Sequence, residues 1–142
     1  MTVIPETQTA FPVLYILMRT DLESMNCGKA IAQGSHAANA FVKHAQSKSG
    51  NGKWEPFDTW RDETNQGFGT VLVLAVNETQ MRTAADIAEK LEYVSGVIHD
   101  PTYPLVDGDT CHFLPLDTCA YVFGDKNDPT LAAIVGNFPL HP

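Results

Sequence analysis

The chain has 142 residues, 44% of them hydrophobic, and a formal net charge of −8 at pH 7. This length and apolar fraction are typical of one globular domain with a buried core, which excludes a largely disordered chain. The acidic balance argues against broad electrostatic attraction to nucleic acid or to an anionic membrane, although it leaves room for a local basic patch.

The three cysteines, Cys27, Cys111 and Cys119, form no C-x-x-C pair, and their odd number indicates free thiols in a reducing compartment. No targeting pattern precedes the first apolar run, and no run approaches the roughly 20 apolar residues that span a bilayer. We therefore expect a cytoplasmic protein without a membrane partner.

In chain order, residues 1–10 predict a flexible tail and residues 11–142 a single domain. The apolar run at 13–19 predicts a strand covered on both faces. An Ala-rich helix is predicted over 27–46, and the Ser/Gly/Asn composition of 47–52 predicts a flexible loop.

The polar stretch 54–66 contains two tryptophans, Trp54 and Trp60, and a short surface helix is predicted in it at 57–63. They are either a stacking platform for a base or aromatic anchors that pin this helix to the core. The run at 70–76 predicts the clearest strand, and an amphipathic helix is predicted over 78–93.

Further along, residues 96–100 predict a short strand that ends at Pro101, and 103–117 a loop or hairpin. The last strand is predicted at 118–124, and Asp128 with the proline after it predicts a final helix. This order, β-α-β-α-β-β-α, predicts an α/β domain with a mixed sheet and helices on its faces.

Polar residues at spacings of four and three, Lys29, Gln33 and His36, share one face of the helix that follows the first strand. Lys29 near the helix N-terminus suits a phosphate or a developing oxyanion, or is simply an exposed lysine. His36 is either a general base or orienting group, or a half-buried histidine satisfied by a neighbour.

Asp100 ends a predicted strand, where ligands bind in open α/β sheets. With Thr102 it suits a site that positions water or a hydroxyl, and the alternative is a turn-initiating Asp before proline. Asp21, after the first strand, has the same two interpretations.

Two other chemistries find little support. Cys27 and His36 lie two and a half helical turns apart, about 10 Å or more along the axis, which argues against a Cys/His nucleophile pair. His99, Cys111 and His112 show no recognised metal-ligand spacing, so we expect no metal site.

The stretch from Arg19 to Ala37 resembles the signature of the type-2 peptidyl-tRNA hydrolases. The matching positions read Arg19-x-Asp21-Leu22-x-x-Met25-x-x-Gly28-Lys29-x-x-Ala32-Gln33-x-Ser35-His36-Ala37. The resemblance covers residues 12–137. It implies a mixed four-stranded sheet flanked by helices, frequent homodimers, no cofactor and cleavage of the ester between a peptide and the tRNA 3′ end.

The resemblance also implies roles for individual residues. The functional lysine of the family falls on Lys29, the motif histidine on His36 and the acid after the third strand on Asp100. The candidates for catalysis are Lys29, Asp100, His36 and Thr102, and those for substrate binding are Arg19, Asp21 and Gln33.

One segment departs from the family pattern. The family follows its acid with Ala-Gly-x-Thr-Gln, whereas this chain reads Asp100-Pro101-Thr102-Tyr103-Pro104 and carries extra residues at 106–117. This departure and the acidic charge favour a second hypothesis, a non-catalytic binding module on the same fold. A third is hydrolysis of a different ester or amide.

Overall fold

A computed structural model describes residues 9–50 and 54–142. Residues 1–8 of the predicted tail and 51–53 of the predicted loop lie outside the described residues. The observed order confirms the α/β class, with the short helix predicted near 57–63 in place. The elements are β1 (Pro12–Arg19), α1 (Cys27–Ser49), α2 (Glu55–Arg61), β2 (Val71–Val76), α3 (Glu78–Lys90), β3 (Val94–Asp107), β4 (Thr110–Asp125) and α4 (Pro129–Val135).

The four strands form one mixed sheet in the order β2-β1-β4-β3. β1 runs parallel to β2 and antiparallel to β4, and β4 runs antiparallel to β3. Every residue of β1 is buried, because the strand lies inside the sheet and both faces of the sheet are covered. The prediction of a mixed four-stranded sheet is confirmed.

Two apolar cores lie on opposite faces of this sheet, which confirms the prediction of helices on both faces. Val13 and Leu17 of β1 pack with α3 and α4 on one face. Leu14 and Ile16 pack with α1 and α2 on the other face. The alternation follows from the period of two along a strand.

Phe41 of α1 lies at the centre of the second core, where its ring contacts Phe57 and Trp60 at centroid distances of 5.6 and 5.2 Å. Trp60 is buried and donates a hydrogen bond from Nε1 to the Thr70 carbonyl at 2.9 Å. The stacking-platform interpretation is therefore wrong for Trp60, which pins α2 to the core.

The boundaries of two predicted strands are wrong. β3 does not end at Pro101 but continues through Pro104 to Asp107, and β4 begins at Thr110 rather than at Thr118. Prolines are tolerated because β3 is an edge strand and because the ladder is irregular there. Residues 103–107 and 110–114, here called the β3–β4 arm, form the hairpin alternative of the prediction.

Helix ends also differ from the prediction, and α2 spans Glu55–Arg61 rather than 57–63. α1 continues through Ser49, beyond residue 46, into the predicted loop. α3 ends at Lys90 rather than at Tyr93, and Glu92 follows in the left-handed region at φ 67°. This backbone conformation is incompatible with a continuing right-handed helix, so the chain turns there into β3.

Residues 139–141 extend the sheet at its β2 edge. The Ala75 amide donates to the Pro139 carbonyl and the His141 amide donates to the Val73 carbonyl, both at 2.8 Å. Leu140 and Leu74 form the antiparallel bridge between these bonds. In the described ranges, no helix combines the length and the apolar character needed to cross a bilayer.

Candidate active site

Helix α1 begins directly after the turn that follows β1. Asn26 is the N-cap: its side-chain oxygen accepts a hydrogen bond from the Lys29 amide at 2.9 Å. The helix then presents Lys29, Gln33 and His36 on consecutive turns. Gln33 is buried, Lys29 is partly buried and His36 is exposed. Gln33 thus packs against the sheet, with the more exposed side chains of Lys29 and His36 on the turns before and after it.

Two irregularities in the β3–β4 ladder aim side chains at this helix. Between the pairs Ile98–Cys119 and His99–Asp117, β4 carries Thr118 as an extra residue, and between Asp100–Leu116 and the next pair β3 carries an extra residue. Such bulges redirect side chains and are frequent beside active sites. Thr118 contacts α1 from the bulge, whereas Asp100 contacts α1 because it lies two residues after Ile98 and so shares the face of the α1-side core.

The Gln33 side chain bridges the two strands. Its Nε2 donates to Asp100 Oδ2 at 2.7 Å, and its Oε1 accepts from Thr118 Oγ1 at 2.6 Å. Thr118 is fully buried. The two bonds orient the amide, since they distinguish its oxygen from its nitrogen. Gln33 therefore holds a strand carboxylate and a buried hydroxyl in one fixed arrangement.

Asp100 is a partly buried carboxylate held by several donors. Burial raises its pKa, but hydrogen bonds from the Gln33 amide and the Thr102 backbone, with the nearby His36 charge, hold the pKa below its ordinary value of 3.8. Thr102 donates from its backbone N at 2.9 Å and from Oγ1 at 3.4 Å to Oδ1. Asp100 is therefore ionised at neutral pH.

Lys29 contacts the β3 segment just beyond Asp100. Its Nζ donates to the Pro104 carbonyl at 2.8 Å and lies 5.1 Å from the centroid of the Tyr103 ring. Tyr103 is fully buried, and its hydroxyl lies 2.9 Å from Ser24 Oγ. An ammonium group has three N–H donors, so one contact to a carbonyl leaves donors for an anionic group.

Arg19 and Asp21 form a separate network at the end of β1. The Arg19 guanidinium bonds Asp21 at 2.8 Å and Glu78 at 2.8 Å, and donates to the Asp117 carbonyl at 3.0 Å. The Arg19 hydrogen bond is the largest cause of the lowered pKa of Asp21. Asp21 also accepts from the Glu78 amide at 3.1 Å, so this pair ties the turn before α1 to α3.

The structure thus brings together Lys29, Gln33, His36, Asp100 and Thr102 of the predicted site residues, and places Arg19 and Asp21 in the neighbouring network. Sequence reasoning missed Thr118. Thr118 belongs to no sequence motif. A threonine at the start of an apolar strand does not indicate a functional site unless the bulge that turns it toward α1 is known.

The cysteines lie outside this cluster or are chemically inert. Cys27 is exposed at the start of α1. Cys119 is buried next to Thr118, and burial raises the pKa of its thiol to about 12, so it stays protonated. Within residues 9–50 and 54–142, no three His, Cys, Asp or Glu side chains are grouped so that they would hold a metal ion.

The fold and this cluster define a small α/β protein with a lysine, an amide and a carboxylate gathered at one edge of a mixed sheet. A comparison with protein-family models supplies the family. The model described as peptidyl-tRNA hydrolase PTH2 matches residues 12–140, so the chain belongs to that family. A search of curated proteins finds no significant match. Membership supports peptidyl-tRNA hydrolase activity, with peptidyl-tRNA as substrate, at the level of the family.

Proposed function

We propose that this protein hydrolyses the ester bond that joins a peptide to the 3′ end of tRNA. One observation carries the proposal: Gln33 binds both Asp100 and Thr118, one helical turn from Lys29. The arrangement combines an ionised acceptor and a cationic donor on adjacent elements. Ester hydrolysis requires these two functions, a positioned water and a stabilised oxyanion.

In this proposal Asp100 orients the attacking water. Its carboxylate already accepts hydrogen bonds from Gln33 and Thr102, which fix its plane while lone pairs remain for a water proton. The water oxygen bonds to the ester carbonyl carbon, the bond from that carbon to the ribose oxygen breaks, and the water proton ends on the leaving ribose hydroxyl. Because its pKa is low, Asp100 contributes mainly by orientation.

Lys29 supplies the positive charge. Its remaining N–H donors stabilise the oxygen of the tetrahedral intermediate or hold the 3′ terminal phosphate. The Pro104 carbonyl and the Tyr103 ring fix the ammonium group in place before substrate binds, so less of its side-chain entropy is lost on binding.

The other candidates support this pair. His36 stands within electrostatic range of Asp100 and is exposed, so we assign it a hydrogen bond to bound substrate. Thr102 holds Asp100, and Arg19 with Asp21 orders the turn before α1. We extend the proposal to a cytoplasmic protein that acts without a cofactor, and to a homodimer that size-exclusion chromatography with light scattering would test.

The decisive experiment is release of peptide from a purified peptidyl-tRNA by the wild-type protein and two matched lysine variants. Lys29→Ala should lower kcat/KM by about 10²-fold, the loss seen when a single oxyanion donor is removed. Lys90→Ala is the control, because Lys90 is exposed at the end of α3 and pairs with Asp86 at 3.0 Å.

Three results would separate the hypotheses. Full activity of Lys29→Ala contradicts the assignment of the site. Saturable binding of peptidyl-tRNA without turnover favours the binding module instead. Turnover of simple esters with none of peptidyl-tRNA favours a different ester or amide substrate.

A further inference from the structure

A cluster of three side chains, His99, Asp117 and Arg82, lies on the α3-facing side of β3 and β4. The candidate site lies on the opposite face of the same strands. His99 and Asp117 are cross-strand partners, with His99 Nδ1 2.8 Å from Asp117 Oδ1. This pair falls between the two ladder irregularities, with the Thr118 bulge on one side and the extra residue of β3 near Thr102 on the other. On the α3-facing side of the sheet, it is the regular pair that separates the two irregular segments.

Asp117 is held by three elements at once. Besides His99 of β3, its Oδ2 pairs with Arg82 Nη2 of α3 at 2.8 Å. Its backbone carbonyl accepts from Arg19 Nη1 of β1 at 3.0 Å. The hydrogen bond from His99 and the one from Arg82 both hold the pKa of Asp117 below its ordinary value, so it is ionised at neutral pH.

We propose that His99, Asp117 and Arg82 are positioning residues: they fix the register of the two bulges so that Asp100 and Thr118 meet Gln33. Each strand residue acts through its neighbour in the chain, since His99 precedes Asp100 and Asp117 precedes Thr118. The effect on turnover rests on the proposed function, whereas the effect on the geometry of Asp100 does not.

The physical reason is the sensitivity of a bulged ladder to slippage. A shift of one residue sends a side chain to the opposite face of the sheet, and a cross-strand hydrogen bond on one face, such as that between His99 and Asp117, penalises such shifts. A displacement of about 1 Å in a reacting group costs up to about 10²-fold in rate. The cluster of His99, Asp117 and Arg82, here called the clamp, therefore affects catalysis through Asp100 and Thr118 without touching substrate.

Two pairs of variants test this inference. Asp117→Ala and His99→Ala remove the clamp, while Asp107→Ala and His112→Ala remove the same side-chain types from exposed positions of the β3–β4 arm. His99→Gln is the conservative variant, because the Gln amide can still donate to Asp117. Since His99 is exposed, His99→Ala is expected to fold. This variant therefore tests the positioning role even if Asp117→Ala does not fold.

Three quantities are measured for each variant: kcat and KM on peptidyl-tRNA, the thermal midpoint, and the Asp100 carboxyl pKa from a carbon-13 NMR titration. The clamp variants should lower kcat by about tenfold to a hundredfold. KM should stay close to the wild-type value. The Asp100 pKa should rise toward its ordinary value, because the Gln33 bond is weakened. His99→Gln should recover most of kcat, and the two arm variants should match the wild type.

A lowered thermal midpoint with unchanged kcat and unchanged Asp100 pKa would overturn the inference, because the clamp would then stabilise the fold alone. Clamp variants indistinguishable from the arm variants would overturn it too. If the wild type does not hydrolyse peptidyl-tRNA, the proposed function fails, and the Asp100 titration still decides the positioning role.

Discussion

The two halves of strand β4 lie in contrasting environments. From Thr118 to Phe123 the strand is buried between β1 and β3, with helices on both faces. In the β3–β4 arm it pairs with β3 alone, and Phe113 is 65% exposed. The candidate site lies where the two halves meet. The buried half of β4 contributes to the apolar core, whereas the junction carries the polar side chains of the candidate site. We therefore expect stability and activity to respond to different substitutions.

The largest loss of stability is expected in the core. Phe41 is fully buried and contacts four other aromatic rings, so Phe41→Ala should lower the free energy of unfolding by about 3–5 kcal/mol. Urea unfolding followed by circular dichroism measures this loss. Because Phe41 packs on Tyr121 and Phe123 of the buried half of β4, a loss below about 1 kcal/mol would mean that the core on this half contributes little to stability.

An intermediate effect is expected at the junction. Thr118→Val keeps the side-chain shape but leaves the buried Gln33 Oε1 without its donor, which should cost about 1–3 kcal/mol of stability. Turnover of peptidyl-tRNA should fall as well, because Gln33 no longer holds Asp100 in one orientation.

Thr110→Val is the matched control at the exposed end of the arm and should change neither quantity. If the two valine variants behave alike in unfolding and in turnover, Thr118 has no special role in the cluster.

The smallest effect is expected in the arm. Phe113→Ala is the same substitution as Phe41→Ala, yet it should change the free energy of unfolding by no more than about 0.5 kcal/mol, because the ring is exposed. The same urea experiment provides the measurement. A loss comparable to that of Phe41→Ala would show that the arm is part of the core.

Parts of the core and of the candidate site were predictable from sequence because their signals are local. The run at 13–19 is apolar throughout, and the spacing of Lys29 and Gln33 alone places them on one helix face. Asp100 was marked by its position at the end of a predicted strand. The contacts among Lys29, Gln33 and β3 agree with that prediction of shared location, while their roles in catalysis stay a prediction.

The irregular ladder at the junction was not predictable in the same way. Pro101, Pro104 and Pro115 have the pattern of a strand end, and their tolerance here depends on β3 being an edge strand and on the bulges. Thr118 and Asp117 gain their partners only once the chain is folded, because each contact joins positions far apart in sequence. Periodicity and motifs carry no information on such pairings.

The short pairing of residues 139–141 with β2 has a consequence for association. An exposed strand edge is a template for another chain, and here the segment around Leu140 already fills the hydrogen-bonding positions of Val73 and Ala75. Two copies of the protein therefore join into one continuous sheet through β2 only if this segment is first displaced from Val73 and Ala75. A homodimer that keeps the segment in place meets through another surface of the molecule.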